Sequence, residues 1–272
     1  MSGLARFPTP TWLVGAGNMV GAMLAGWQSA GVDLGNVIAI RPSGTATAGV
    51  QRTVSSVAEA GPLPRMAVLG FKPQMLDSIA PGLAPMMTEQ TVIVSLLAGT
   101  PVAALRQRFP RARSIVRAMP NLPVAVRRGV TALYTEDAGE EDGQLLSNLM
   151  TYLGVAVWSP SQAHLSAVGA MAGSGPAYVA RFIDALATAA AERGLDPGLA
   201  QTLALETVLG TGWLAAADRG PMDDLVRRVA SPKGTTLAGL AVLDAELPSL
   251  IARTLDAAIA RGEELAAASR DG

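Results

Sequence analysis

A chain of 272 residues, 50% hydrophobic and 16% charged, has the composition of a folded globular protein with one or two domains. The formal net charge of −1 at pH 7 gives no reason to expect nucleic acid or a membrane surface as a partner. Because the chain has no cysteine and a single histidine, His164, disulfides and a His-rich site are excluded and we expect no metal. The apolar run near the N-terminus is too short for a signal peptide, which predicts a cytoplasmic protein.

The first part of the chain alternates short apolar runs with helical stretches. Most runs are apolar throughout, as expected for strands of a parallel sheet that is covered by helices on both faces. The predicted strands are Thr11–Val14, Val37–Ile40, Met66–Phe71, Thr91–Leu96, Ser114–Arg117, Val130–Tyr134 and Val155–Trp158. This alternation predicts β-α-β units and an α/β fold.

The pattern changes at Ser159-Pro160-Ser161, after which no strand is predicted. One helix is predicted to end at Gly194, and Asp196-Pro197 is typical of an N-cap that opens a helix running to about Asp218. Further helices are predicted after Asp223, after Gly234, and from Pro248 to about Ala268. We therefore predict two domains, residues 1–160 and the all-helical residues 161–272.

The helical part also carries more apolar surface than one layer of helices can bury within itself. The faces concerned bear Leu199, Leu203, Trp213, Ile251, Leu255 and Ile259. This surface predicts an obligate dimer built from the helices after about residue 161.

A glycine-rich turn, Val14-Gly15-Ala16-Gly17-Asn18-Met19-Val20-Gly21, follows the first strand and opens a helix. Glycine lets the backbone bend sharply and approach a pyrophosphate, and the helix N-terminus offers free N–H groups to the phosphates. Because Val20 stands at the third position of the usual fingerprint, a tight turn without a ligand is the alternative.

The second strand ends at Ile40-Arg41-Pro42-Ser43, and no acidic residue follows until Glu59. In this kind of fold an enzyme specific for NAD usually places an acid there, to hold the ribose 2′-hydroxyl. Arg41 and Ser43 instead suit a 2′-phosphate, which predicts a preference for NADPH over NADH. The alternative is an ordinary exposed loop.

Five further motifs are polar or glycine-rich. Three follow strands, at the edge where ligands bind in open α/β sheets, and two lie in the helical part. They are Gly70-Phe71-Lys72-Pro73-Gln74, Ser95-Leu96-Leu97-Ala98-Gly99, Arg117-Ala118-Met119-Pro120-Asn121-Leu122-Pro123, Ala172-Gly173-Ser174-Gly175-Pro176-Ala177-Tyr178 and Ser231-Pro232-Lys233-Gly234-Thr235-Thr236. We predict loops for the last two. Their N–H and hydroxyl groups could hold a carboxylate or only cap a helix.

In this order the motifs resemble those of the pyrroline-5-carboxylate reductase family, from Val14 to about Leu265. The most specific pieces are G-A-G-N-M at Gly15–Met19, K-P-Q at Lys72–Gln74, R-A-M-P-N at Arg117–Asn121, G-S-G-P-A-Y at Gly173–Tyr178 and S-P-x-G-T-T at Ser231–Thr236. The resemblance implies a Rossmann dinucleotide-binding domain and an all-helical domain that interlocks with a second subunit, in a homodimer or an assembly of dimers. It also implies hydride transfer from NADPH or NADH to 1-pyrroline-5-carboxylate, giving L-proline, the last step of proline biosynthesis.

The resemblance, carried over residue by residue, assigns one set of residues to the cofactor and another to the substrate. The loop after the second strand adds Arg41 and Ser43 to the cofactor set. The cofactor set is Gly15, Gly17, Asn18, Met19, Arg41, Ser43, Phe71, Lys72, Pro73, Ala98, Gly99, Met119, Pro120 and Asn121, of which the last five would lie around the nicotinamide. The substrate set is Ser174, Ser231, Gly234, Thr235 and Thr236, of which Thr236 and Ser231 are the candidate catalytic residues. Since an iminium carbon is already electrophilic, the reaction needs orientation of the reactants more than a strong base.

The chain departs from the family pattern at several positions. Val20 and Gly70-Phe71 stand where the family usually has a small residue and Ala-Val, and Lys233 replaces a glycine. Gly169 stands where a threonine is common, which leaves a proton donor unassigned. Two alternatives therefore stay open. One is a related imine or β-hydroxyacid dehydrogenase using Lys233, and the other is a catalytically silent dinucleotide-binding paralogue.

Overall fold

A computed structural model describes residues 6–268; the outer ends of both predicted domains, residues 1–5 and 269–272, lie outside this range. Within it, the strands are β1 Thr11–Val14, β2 Val37–Ile40, β3 Arg52–Val54, β4 Met66–Leu69, β5 Val92–Ser95, β6 Ser114–Pro120, β7 Gly129–Thr135 and β8 Gly154–Trp158. They form one eight-stranded sheet in the order β3-β2-β1-β4-β5-β6-β7-β8. The predicted α/β class is confirmed, and all seven predicted strands are present with ends shifted by a few residues at most.

Neighbouring strands pair in parallel, with one exception between β6 and β7. The connection between these two strands, residues 121–128, is too short for a crossover, which needs about a dozen residues or more. The purely parallel sheet was therefore the wrong expectation at this point. Strand β3 was not predicted because it is a three-residue edge strand that opens with the exposed Arg52.

The α-helices are α1 Asn18–Ser29, α2 Leu76–Leu83, α3 Val102–Arg108, α4 Glu140–Thr151, α5 Gln162–Val168, α6 Gly175–Ala191, α7 Pro197–Asp218, α8 Met222–Val229 and α9 Thr235–Ala268. Helices cover both faces of the sheet. Leu13 and Trp12, neighbours on β1 that point to opposite faces, belong to two separate clusters of buried residues and are each at most 1% exposed.

The chain divides into two compact units. The sheet unit extends to Ser174 and also takes in α9 from Ala258 onward, whereas the helical unit is Gly175–Ala257. Inside the helical unit, α6 and α7 pack through small residues, and the cluster of buried side chains there consists of Ala187, Ala200 and Ala204. Most of the large apolar side chains of this unit are left on its surface.

Two predictions about the helices are confirmed. The Asp196 side chain accepts a hydrogen bond from the N–H of Leu199 at 2.9 Å and caps α7. The short helix predicted after Asp223 is α8, which begins one residue earlier at Met222.

Two other predictions about the helices are wrong. Helix α9 runs through Pro248 without a break, although separate helices were predicted on either side of this proline. A proline removes one helical hydrogen bond, but the Ala- and Leu-rich sequence around it favours a helix strongly enough to continue. Residues 172–178 were predicted to be a loop. They lie instead in a continuous helical stretch, with a π-helical turn at Gly169–Gly173 followed by α6.

Among residues 6–268, one helical segment, Thr235–Glu264, has the length and apolar composition of a membrane span. None of that window is buried within the single chain. Because it is interrupted by acidic and basic residues such as Asp244 and Arg253, we interpret it as part of the apolar surface described above.

Candidate active site

The glycine-rich turn has the geometry that a pyrophosphate requires. Gly15 has φ +82°, and a Cβ placed on it would lie 2.9 Å from the Phe71 backbone nitrogen, so no larger residue fits. Helix α1 begins directly afterwards, with Gly17 as an N-cap that lacks a side chain, and its first turn holds no acidic residue. The N–H groups of this turn are therefore available to an anion.

The two departures from the family pattern near this turn lie in contact with each other. A Cβ on Gly70 would overlap the Val20 Cγ2 methyl and lie 2.7 Å from the Gly15 carbonyl oxygen. Val20 is 2% exposed and belongs to the core under the sheet. The larger side chain at 20 thus occupies the volume that an alanine at 70 would need.

The loop after β2 holds the two residues predicted for a 2′-phosphate. Arg41 Nη1 lies 3.4 Å from the Thr45 carbonyl oxygen, and Ser43 Oγ accepts from the Thr45 N–H at 3.3 Å. Glu59 is the first acid after this loop, and its carboxylate accepts from the hydroxyls of Ser55 and Ser56 at 2.6 and 2.8 Å. These bonds lower the pKa of Glu59, so its carboxylate is ionised and already engaged.

The residues after β4 continue the same edge of the sheet. Phe71 is half-buried against the core, and Lys72 is exposed and precedes a short 3₁₀ turn at Pro73–Met75. The Lys72 carbonyl oxygen accepts a hydrogen bond from the Met75 N–H at 2.9 Å, which fixes the backbone at this turn. The Lys72 side chain itself is exposed.

A pocket of about 210 Å³ lies at the carboxyl ends of β5 and β6. Four residues of the predicted cofactor set line it, namely Met19, Ala98, Met119 and Pro120. Its walls are otherwise mostly apolar, with Leu165 of α5 closing one side. The structure therefore brings the glycine-rich turn together with the two motifs predicted to surround a nicotinamide, although Gly99 and Asn121 are not among the lining residues.

Arg117 also lines this pocket, and its role was missed from the sequence. It is 4% exposed, and its guanidinium donates from Nη1 to Gln162 Oε1 at 2.6 Å. No carboxylate forms a salt bridge with it in the part of the chain that the structure describes. Burial lowers the pKa of Arg117 to about 10, so the pocket wall carries a positive charge at neutral pH. An arginine inside a motif gives no signal of burial in a single sequence.

In the helical unit, Ser231–Gly234 form a mostly exposed loop before α9, whereas Thr235 and Thr236, also predicted to lie in this loop, are the first two residues of the helix. Lys233 has φ +61°, a left-handed conformation that favours glycine, the residue that the family pattern has there. A Cβ on Gly234 would overlap Ser231 Oγ, so a larger residue at that position would displace the Ser231 hydroxyl. No hydrogen bond within residues 6–268 uses the hydroxyls of Ser231, Thr235 or Thr236, which leaves them available to a ligand at the start of a long helix.

The remaining predicted residues are placed as follows. Ser174 ends the sheet unit and is half-buried after the π-helical turn. A Cβ on Gly169 would overlap the Met119 thioether, so the space of the missing threonine is filled by Met119. Across residues 6–268, no group of three His, Asp or Glu side chains is arranged to hold a metal ion.

Two family models match the chain. A model described as pyrroline-5-carboxylate reductase dimerisation matches residues 162–265, and one described as NADP oxidoreductase coenzyme F420-dependent matches residues 12–99. Together they cover the helical region and the first half of the sheet.

Relatives of known function are similar over most of their length. A pyrroline-5-carboxylate reductase of Pseudomonas aeruginosa is 35% identical over 93% of this chain and 95% of its own, and one of Synechocystis is 37% identical over 76% and 77%. Among solved structures, a pyrroline-5-carboxylate reductase from Coxiella burnetii is 28% identical, with a TM-score of 0.86 over 95% of this chain and 98% of its own.

Proposed function

Since the chain belongs to the pyrroline-5-carboxylate reductase family, we propose that it reduces 1-pyrroline-5-carboxylate to L-proline with NADPH or NADH as the hydride donor. The observation that carries this proposal is the 35% identity to the Pseudomonas enzyme over 93% of the chain. The protein is an NAD(P)H-dependent oxidoreductase with a Rossmann-type sheet domain followed by a helical dimerisation domain.

The sheet unit binds the cofactor in this proposal. The free N–H groups at the start of α1 and the tight turn at Gly15 suit the pyrophosphate, and Lys72 and Pro73 lie along the ribose. Arg41 and Ser43 hold the 2′-phosphate and make NADPH the preferred cofactor. The nicotinamide, which supplies the hydride when bound, lies against the pocket of Met19, Ala98, Met119 and Pro120.

The helical unit binds the substrate. The free hydroxyls of Ser231, Thr235 and Thr236 and the N–H groups that open α9 hold the carboxylate and orient the ring. Thr236 Oγ1 would accept a hydrogen bond from the ring N–H of the protonated imine. The ring nitrogen takes this proton from solvent, which leaves the C=N carbon electrophilic. The chain then needs to orient the reactants and exclude water rather than supply a strong base.

The β-hydroxyacid dehydrogenase alternative depends on a lysine that lies on a helix. Lys233 lies in a left-handed turn before α9, which disfavours this alternative. The chain forms a homo-oligomer through its dimerisation region, and we propose a homodimer, or an assembly of dimers, located in the cytoplasm. We propose no nucleic-acid partner, because the net charge is −1. We propose no membrane partner, because charged residues interrupt the apolar sequence of α9.

The test consists of two parallel absorbance assays. One follows oxidation of NADPH by 1-pyrroline-5-carboxylate, and the other follows reduction of NADP⁺ by a small β-hydroxyacid. We expect turnover with the first substrate alone, and proline as the product. Turnover with the hydroxyacid alone would overturn the assignment of substrate, and tight NADPH binding without any turnover would support a silent paralogue.

A further inference from the structure

One face of β6 and the residue after it point toward the helical stretch 162–174. The residues are Arg117, Met119 and Asn121, which share a face because side chains alternate along a strand. Arg117 donates to Gln162 at 2.6 Å, Met119 fills the space above Gly169, and Asn121 Nδ2 donates to the Ala172 carbonyl oxygen at 2.9 Å. These three residues thus connect the strand that borders the nicotinamide pocket to residues 162–174.

Asn121 is 7% exposed, and both ends of its amide are used within the protein. Its Oδ1 accepts from the Val130 N–H at 2.8 Å on β7, and its Nδ2 makes the bond to Ala172. The sequence had placed Asn121 around the nicotinamide, but its amide instead connects two strands to the helical stretch. Its place among the cofactor-binding residues stays a prediction, and the NADPH affinity of the variants below tests it.

The Ala172 carbonyl needs an outside donor for a reason that is visible in the sequence. In an α-helix it would accept from the residue four positions on, which is Pro176 and has no N–H. The helix widens here into a π-turn, in which the Ser174 N–H donates to the Gly169 carbonyl oxygen at 3.2 Å. A half-buried carbonyl without a donor is costly, and Asn121 supplies the donor.

We propose that Asn121 is a positioning residue that holds the π-helical turn Gly169–Gly173, and with it Ser174, against the strand bordering the nicotinamide pocket. Arg117 supports the same stretch through Gln162 at its start. The proposal rests on the proposed function, because Ser174 belongs to the predicted substrate set. Asn121 therefore affects substrate use more than cofactor affinity.

The test is Asn121→Asp, which keeps the shape and the acceptor for Val130 but replaces the donor with a carboxylate. Ionised, this carboxylate repels the Ala172 carbonyl oxygen; protonated, it donates to that oxygen as the amide does. Relative to wild type, we expect kcat/KM for pyrroline-5-carboxylate to fall about tenfold at pH 8.5 and to recover at pH 6. The Kd for NADPH should stay within about threefold, and Asn121→Ala should show no recovery at low pH.

Three controls separate the outcomes. Asn148→Asp changes an exposed asparagine on α4 and should alter nothing. If Asn121→Asp does not fold, Pro176→Ala supplies the missing N–H and should restore part of the activity that Asn121→Ala loses. Hydrogen exchange of residues 169–177 should rise in Asn121→Ala whether or not the protein reduces this substrate.

If the wild-type protein is inactive, only the proposed function is contradicted. Unchanged exchange, or equal losses in substrate use and NADPH affinity, would overturn the positioning role.

Discussion

The sheet unit and the helical unit bury their apolar residues to very different degrees. Trp12 and Leu13 of β1 are at most 1% exposed, whereas Leu199 and Leu203 of α7 are 48% and 49% exposed and Trp213 is 53% exposed. The sheet is covered on both faces by its own helices, so its core is complete within one chain. The helical unit buries mainly alanines, and we propose that a second subunit covers its leucines.

This contrast separates two tasks. The unit with a complete core carries the turn, the loops and the pocket proposed for the cofactor, and the unit with exposed leucines carries the loop proposed for the substrate. Variants in the two units should therefore affect different kinetic constants.

The largest effect is expected for Gly15→Val in the sheet unit. The new side chain is strained at φ +82° and collides with the Phe71 backbone, which distorts the turn proposed to bind the pyrophosphate. We expect NADPH affinity to fall at least about 100-fold, equivalent to more than about 2.7 kcal/mol. Fluorescence titration with NADPH measures this. Gly17→Ala, at a position where a Cβ meets only the Gly70 carbonyl oxygen at 3.9 Å, should be affected far less.

Thr236→Ala in the helical unit should have the next largest effect. It removes a hydrogen bond to a charged or polarised group, at a cost of about 1.5–3 kcal/mol in kcat/KM, or roughly 10- to 150-fold. The Kd for NADPH should barely change because the cofactor belongs to the sheet unit. A variant with normal turnover would remove Thr236 from the site.

Arg41→Ala tests the choice of cofactor within the sheet unit. Loss of a charge-assisted contact from the half-buried Arg41 to the 2′-phosphate should raise the KM for NADPH about tenfold and leave that for NADH nearly unchanged. Steady-state kinetics with both cofactors provide the comparison. Equal effects on the two would mean that the loop does not contact the 2′-phosphate.

The smallest effect is expected for Lys233→Gly. Glycine relieves the left-handed conformation at φ +61°, which disfavours other residues by roughly 1–2 kcal/mol, although its own flexibility offsets part of the gain. We expect unchanged turnover and a slightly higher melting temperature. Abolished turnover, with Thr236→Ala still active, would instead favour the dehydrogenase that uses a lysine.

The regular parts of the fold could be predicted from the sequence because their signals are local. Apolar runs such as those of β1 and β2 match the strands residue for residue, and the cap at Asp196-Pro197 is correct. Features in which two local signals compete could not be predicted. The antiparallel β7 depends on the short turn after β6, and the continuous α9 on a helical preference that outweighs Pro248.

The site shows the same division. Motifs placed Gly15, Ala98 and Met119 at one edge of the sheet, and the structure brings them there. The hydrogen bonds from Arg117 to Gln162 and from Asn121 to Ala172 join positions 45 or more residues apart. A single sequence contains no signal for either bond. The contact of Val20 with Gly70 is equally invisible until the turn is folded.

The dependence of the helical unit on a second subunit is tested most directly by measuring mass and activity on the same diluted samples. Sedimentation velocity gives the oligomeric state over a range from micromolar concentrations downward, and oxidation of NADPH by pyrroline-5-carboxylate gives the activity. We expect a dimer or larger assembly at micromolar concentration, with activity lost as the subunits separate. A monomer at micromolar concentration that remains fully active would contradict this account.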